Sequence, residues 1–311
     1  MAHTLYLIAK TARPRQWIKN LAIFAPLIFS GKLLIIPSLI IVIQAFAIFC
    51  GLTSAMYFIN DVLDAPRDRL HPFKKKRPIA SRDLSVPVAL AVAFALILTL
   101  LPLSYNLSVG FFVIVFTYLL LQLAYSFIVK HVILLDVMSI AAGFILRIYA
   151  GIWVVGAHMN IWFLLCVVSI SLFLAVGKRR SELTLLAGEL AGAHRATLSH
   201  YPEILLHSLT TMFATATWIS YAMFAFLQPP VASKLIYGAF FDEIIPPPPE
   251  RKWLMLTIPL VIYGVMRYLY LIYEKKEGES PERVLLSDKP LLATVIIWLL
   301  LTVGIIYILG A

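Results

Sequence analysis

Nine mainly apolar stretches run through this 311-residue chain, at 17–35, 38–62, 84–104, 108–129, 133–156, 160–177, 206–227, 253–273 and 290–310. Each approaches the about 20 residues that a helix needs to cross a bilayer's hydrocarbon core. That pattern excludes a water-soluble globule, and composition agrees: 61% of residues are hydrophobic and 14% charged. Soluble domains stand near half and near a quarter. A disordered chain needs the opposite bias. The expected fold is all-α, a polytopic membrane bundle of nine transmembrane helices with a polar cap, in a single integral-membrane domain over 1–311. The stretch at 17–35 is the weakest, because Pro26 interrupts it and Lys19 and Lys32 lie near its ends. The first ten residues hold no apolar core long enough for a cleavable signal. Cys50 and Cys166 lie in apolar runs with no CxxC spacing, and read as small core residues.

Nine crossings put the termini on opposite sides, and basic residues favour the cytoplasmic side. Twenty-one of the 26 Lys and Arg fall on one side, including Lys10, Arg13, Arg15, Lys19 and the 65–83 loop. Lys32, Lys234, Arg251 and Lys252 fall on the other, and Arg147 lies within a span. The N-terminus is therefore expected in the cytoplasm and the C-terminus outside. The net charge of +10 is concentrated on one face. With no soluble basic domain, it points to anionic headgroups or an anionic substrate rather than nucleic acid. The 229–252 loop, rich in Pro and aromatics, shows no chemistry.

The informative residues are polar ones at the ends of spans. In Asn60-Asp61-Val62-Leu63-Asp64-Ala65-Pro66-Arg67-Asp68, residues Asn60, Asp64 and Asp68 share one helix face if the helix continues past Pro66. Asp61 sits beside Asp64. Carboxylates so crowded repel one another unless a cation sits among them, and hard oxygen donors favour Mg²⁺. Mg²⁺ held by few carboxylates shares its shell with substrate phosphates. The basic run that follows, with Arg67, Lys74 and Arg77, suits the remaining phosphate oxygens. A second half-site comprises Tyr125, Lys130 and Asp136, with Arg147 three turns further along the same face. A third is Gly177-Lys178-Arg179-Arg180-Ser181-Glu182, where Lys178 and Arg179 are placed to grip phosphate and Glu182 to bind metal or orient an arginine. Lys19 and Asn20 lie where the first stretch enters the membrane, after Trp17, an interface anchor. No GxSxG or GxxxxGK[ST] pattern supports acyl transfer or an ATP motor. The 275–289 segment, rich in Glu, reads as a solvated loop.

Asn60-Asp61-x-x-Asp64-x-x-x-Asp68 at the end of the second span resembles the first aspartate motif of the UbiA superfamily of intramembrane prenyltransferases. The resemblance implies an all-helical enzyme with a lateral opening to the bilayer and a polar cap holding Mg²⁺ and diphosphate. Typical members carry a second DxxxD motif after span 4, where this chain has only Asp136. RPRQWIKN at 13–20, NDVLDAPRDRLHPFKKKRPIAS at 60–81, Tyr125 to His131, GKRRSE at 177–182 and VLLSDKPLL at 284–292 look like the decaprenyl-phosphate phosphoribosyltransferase branch.

The branch resemblance implies transfer of a 5-phosphoribosyl group from phosphoribosyl pyrophosphate to a polyprenyl phosphate, releasing diphosphate. It implies Mg²⁺ on Asn60, Asp64 and Asp68, and catalytic roles for Asp61, Asp64 and Asp68. Lys19, Lys130 and Arg147 are then expected at the acceptor phosphate, and Lys74, Arg77, Lys178 and Arg179 at the donor phosphates. The expected setting is the plasma membrane of a bacterial-type cell with the active site on the cytoplasmic face, and cell-wall synthesis is the implied use. Self-association is compatible with the chain, and its sequence fixes no number of copies. Two alternatives stay open: a UbiA-type prenyltransferase acting on an aromatic or glycerol-phosphate acceptor, and a transporter. The transporter predicts inverted repeats and midplane polar residues, which the sequence lacks.

Overall fold

A computed structural model of the chain describes residues 2–70, 74–186, 201–228, 252–274 and 281–309. The elements are α1 (Ala2–Ala12), a 3-10 segment (Pro14–Phe24), α2 (Ala25–Phe29), α3 (Ile36–Asp68), α4 (Val86–Leu107), α5 (Val109–Phe127), α6 (Leu135–Val155), α7 (Ile161–Leu186), α8 (Glu203–Leu227), α9 (Ile258–Tyr273), α10 (Pro281–Ser287) and α11 (Lys289–Gly304). The last runs on as a π-helical stretch, Ile305–Leu309. No strand occurs among the described residues.

Eight helices, not nine, are long and apolar enough to cross a membrane among the described residues. The missing one is 17–35. Pro14 starts an 11-residue 3-10 segment, and Pro26 cannot donate the backbone hydrogen bond that an α-helix needs there. The five-residue α2 then ends in a turn at Gly31, where φ is +72°. A 3-10 run this long is uncommon. The Tyr307 hydroxyl accepts from the Leu33 N–H at 2.9 Å and donates to the Ile28 carbonyl at 2.9 Å, satisfying backbone groups in the last turn of the short helix and just after it.

The chain divides into two compact units, 1–25 with 37–139 and 146–156, and 26–36 with 140–145 and 157–311. In the first, Ala55, Phe58 and Ala65 of α3 pack on Leu7 of α1, on Ile79 and Leu84, and on Ala89 and Ala93 of α4. Small residues at these contacts let helix backbones approach closely. In the second, Phe173 of α7, Ala214 of α8, Val265, Tyr268, Leu271 and Ile272 of α9, Val284 of α10 and Leu291 of α11 form the core. Phe29, Phe163 and Phe224 cluster with ring centroids 4.9–5.1 Å apart. Cys50 and Cys166 are buried free thiols, as their apolar contexts predict.

Two helices overrun their expected ends. α3 was expected to stop at 62 and continues to Asp68; α7 was expected to stop at 177 and continues to Leu186. In each case the added turns carry the polar motif. The expected 229–252 loop lies outside the described residues except for Lys252, as do His71 to Phe73 and residues 275–280 of the acidic segment.

Candidate active site

The site is built on the last turns of α3. Pro66 removes one backbone donor, yet it sits so near the helix end that few bonds depend on it. The helix runs through it, and Arg69 N–H still reaches the Ala65 carbonyl at 3.2 Å. All four polar motif residues therefore keep helical register, in two stripes. Asp61 and Asp68, seven residues apart, fall within about 20° of one another. Both are buried. Asn60 and Asp64, one turn apart, make up the other stripe.

Each stripe meets its own set of partners. The Asn60 side-chain oxygen accepts from the Ser126 hydroxyl at the end of α5. One turn on, Asp64 is paired with Lys130 at 2.8 Å. Ser126 and Lys130 are themselves four residues apart, so two successive turns of α3 face the end of α5 and the short 3-10 turn Val129–His131 that follows it. On the buried stripe, Arg77 binds Asp68 at 2.6 Å and Asp61 at 3.2 Å. Arg13 binds the same Asp61 oxygen at 2.5 Å. Arg77 follows the 3-10 turn Lys74–Lys76, and Arg69 donates to the Ala80 carbonyl at 3.2 Å to hold the far side of this loop. The Trp17 indole N–H donates to Ser54 of α3 at 3.0 Å, so the expected interface anchor also pins the N-terminal segment to the site helix.

A second buried node lies in the same unit. Arg147 of α6 donates to the Asn20 side-chain oxygen at 2.8 Å and to the Tyr118 hydroxyl at 3.0 Å. Its guanidinium also lies over the rings of Phe49 and Tyr118, at 5.4 and 4.9 Å. Asn20 in turn donates to Thr53 and to the Cys50 sulfur. Asp136 is buried at the start of α6, two residues after Leu134, which takes φ +67°. Lys19, Lys74 and Tyr125 are half-buried and Arg67 is exposed.

Backbone strain collects around this region. The three non-glycine residues with positive φ among the described residues are Arg13, Arg82 and Leu134. All three flank the carboxylates or their partners in sequence, and such strain clusters at functional sites.

The donor set fits Mg²⁺. Three hard-oxygen groups, Asn60, Asp64 and Asp68, occupy successive turns of one helix end. Among the described residues no group of three or more His, Cys, Asp or Glu is gathered as a cage. Mg²⁺ needs none: it takes one or two protein carboxylates and completes its shell with water and phosphate oxygens.

Residues 22–241 match the pattern of the UbiA prenyltransferase family. The chain belongs to that family. It is 34% identical over 96% of its length to the decaprenyl-phosphate phosphoribosyltransferase of Corynebacterium glutamicum, of which it covers 86%. It is 32% identical over 94% of its length to the protein of that name from Mycolicibacterium smegmatis, of which it covers 90%. Its fold is similar to that of a solved UbiA homolog from Archaeoglobus fulgidus bound to GPP and Mg²⁺, with a TM-score of 0.66 and 19% identity over 96% of this chain and 99% of that one. This UbiA-family chain is an integral membrane protein and a transferase.

The expected site residues Lys178, Arg179 and Glu182 of this UbiA-family chain belong to the second unit. Glu182 pairs with Arg179 at 2.7 Å and lies 3.9 Å from Lys178. Arg180 lies 3.7 Å from the centroid of the Tyr273 ring and donates to the Ile272 carbonyl at 3.2 Å. Three participants went unpredicted as site residues: Arg13, Ser126 and Tyr118. Arg13 enters the sequence reading as a cytoplasmic charge and as the first residue of the RPRQWIKN match, with no role at the site. A further local signal is its place before Pro14, a restricted backbone position.

Proposed function

We propose that this UbiA-family transferase moves a 5-phosphoribosyl group from phosphoribosyl pyrophosphate to a polyprenyl phosphate and releases diphosphate. One observation carries the reading: relatives 32–34% identical along nearly the whole chain bear the name decaprenyl-phosphate phosphoribosyltransferase. The paired carboxylates and cations at the end of α3 supply the chemistry such a transfer needs.

Asn60, Asp64 and Asp68 would hold Mg²⁺. When bound, the ion neutralises charge growing on the departing diphosphate. Lys130 and Arg77, already in contact with those carboxylates, stand within reach of phosphate oxygens brought there. The bond between the anomeric carbon and the diphosphate oxygen breaks, and the acceptor phosphate oxygen bonds to that carbon. The acceptor is already an anion, so no strong general base is required. The transition state is oxocarbenium-like, and a nearby carboxylate would stabilise the positive carbon. The lipid tail rests against apolar helices, where each buried CH₂ contributes about 0.8 kcal/mol. The 21-to-4 distribution of basic residues supports a cytoplasmic site in a bacterial-type plasma membrane.

The test is a label-transfer assay on purified protein in detergent. With polyprenyl phosphate, Mg²⁺ and labelled phosphoribosyl pyrophosphate, label should enter the organic phase with the wild type and not with Asp64→Ala. Absence of label, with a prenyl diphosphate consumed instead when an aromatic acceptor is present, would reassign the protein to the ordinary prenyl transfer of its family.

A further inference from the structure

We propose that Asp61 is a positioning residue rather than a metal ligand, and that it holds Arg13 and Arg77 side by side as a two-guanidinium clamp for the diphosphate group of the substrate. The proposal rests on the reading of the site as one that handles a diphosphate, and it adds Arg13 as a substrate-binding residue.

Arg13 and Arg77 come from opposite directions in sequence, one from the turn after α1 and the other from the loop after α3, and they converge on one atom. Arg13 Nη2 is 2.5 Å and Arg77 Nη1 is 3.2 Å from Asp61 Oδ1. Two guanidiniums so close repel unless an anion lies between them, and Asp61 is that anion. Its side chain is 3% exposed, whereas each arginine side chain is 28% exposed. The carboxylate is therefore sealed and the cations are open. A divalent cation placed on the same oxygen would add two more positive charges around one negative charge. Asp64, 34% exposed, carries no such load.

The N-terminal arm of the clamp is built with strain. Arg13 sits at φ +54° and ψ +61° immediately before Pro14, where the preceding residue prefers extended backbone. Such a conformation persists only where its surroundings enforce it. Here Asp61 binds the guanidinium and the Tyr57 ring lies beneath it, 4.9 Å from Cζ. The ligand class follows from the groups. Guanidinium forks match phosphate oxygens in pairs. Two forks whose second member also touches Asp68 at 2.6 Å suit an anion with two linked phosphates that reaches the candidate metal carboxylates.

The experiment separates metal from phosphate. Mn²⁺ affinity is read by electron paramagnetic resonance, and pyrophosphate affinity in the presence of Mn²⁺ by calorimetry. Both use the full chain in detergent, as wild type, Asp61→Asn, Arg13→Gln, the double variant and Asp64→Asn. The clamp requires Asp61→Asn and Arg13→Gln to hold Mn²⁺ within about twofold of wild type while pyrophosphate weakens about tenfold or more. The double variant should be no more than about twofold weaker than the worse single one, because both changes dismantle one unit. Arg13→Lys, which keeps the charge, should recover part of the loss. Asp64→Asn should lose Mn²⁺ itself. The proposal is overturned if Asp61→Asn loses Mn²⁺ as Asp64→Asn does, if Arg13→Gln binds pyrophosphate like wild type, or if wild type binds no pyrophosphate. Arg13 is partly exposed, so Arg13→Gln decides the matter alone if Asp61→Asn fails to fold. A wild type that binds pyrophosphate through the clamp yet transfers no label from phosphoribosyl pyrophosphate sinks the proposed donor and leaves the clamp standing.

Discussion

Arg147→Met preserves most of a side chain's volume inside α6 while deleting its charge and its donors. Arg147 is 6% exposed and its neighbour Asn20 is 1% exposed, so water cannot easily replace what is lost. The Asn20 side-chain oxygen loses the Arg147 Nε–H at 2.8 Å, and the Tyr118 hydroxyl loses a donor at 3.0 Å. A buried polar atom left unmet costs about 1–3 kcal/mol. The contacts with the Phe49 and Tyr118 rings are worth roughly 0.5–2 kcal/mol each when desolvated. Methionine regains part of this by packing, so the net loss is about 3–5 kcal/mol, against the roughly 5–15 kcal/mol total typical of a folded protein. At about 2 °C per kcal/mol for a chain of this size, Tm should fall by about 6–10 °C. Tryptophan fluorescence during heating in detergent measures it. Adding Asn20→Leu removes the stranded oxygen, so the double variant should be more stable than the sum of the two single effects by at least about 1 kcal/mol. A fall in Tm below about 2 °C, or simple additivity, would refute the account. It would mean that the guanidinium is not committed to Asn20 and Tyr118.

Chelation of divalent cations should abolish label transfer, and Mg²⁺ should restore it, in the assay described above; activity that persists in excess chelator would remove Asn60, Asp64 and Asp68 from any metal role. Lys130→Met should cut kcat/KM by about tenfold or more and Lys130→Arg by less, because the charge beside Asp64 matters more than its shape; steady-state kinetics with both substrates decides, and equal losses would point to a packing role. Asp288 caps α11 through the Leu291 N–H at 2.9 Å and also receives a two-point ion pair from Arg267. Asp288→Ala should cost about 1 kcal/mol from the cap alone, with Asp288→Asn milder, as thermal unfolding would register; equal effects would show that the cap is not what the side chain contributes.

The crossing helices were legible in the sequence because a bilayer demands long apolar runs and tolerates few exceptions. The exception was 17–35, where length and hydropathy qualified but Pro14, Pro26 and Gly31 set the backbone locally. The α3 motif was legible for a related reason: a helical period puts Asn60, Asp64 and Asp68 on successive turns whatever surrounds them. The partners of its two stripes were not, because they depend on which neighbours arrive. Arg13 and Arg77 both meet Asp61 across separations of 48 and 16 residues, and no local pattern encodes such a pairing. Arg147 shows the same limit. It bonds Asn20, 127 residues away, and Tyr118 on α5, and its spacing from Asp136 encodes neither pairing.

α3 is 33 residues long, about 50 Å, and it is continuous from its apolar start to its last carboxylate. Its membrane-embedded portion therefore acts as a shaft that sets the angle of the acidic end. Swapping one aliphatic residue for another between Val42 and Ala55 leaves that angle alone. Inserting or deleting a single residue there turns Asn60, Asp61, Asp64 and Asp68 by about 100° and shifts them by about 1.5 Å. Asp61 would rotate away from its arginines and Asp64 from Lys130, with every one of those side chains still encoded. In this stretch the chain tolerates changes of identity far better than changes of count.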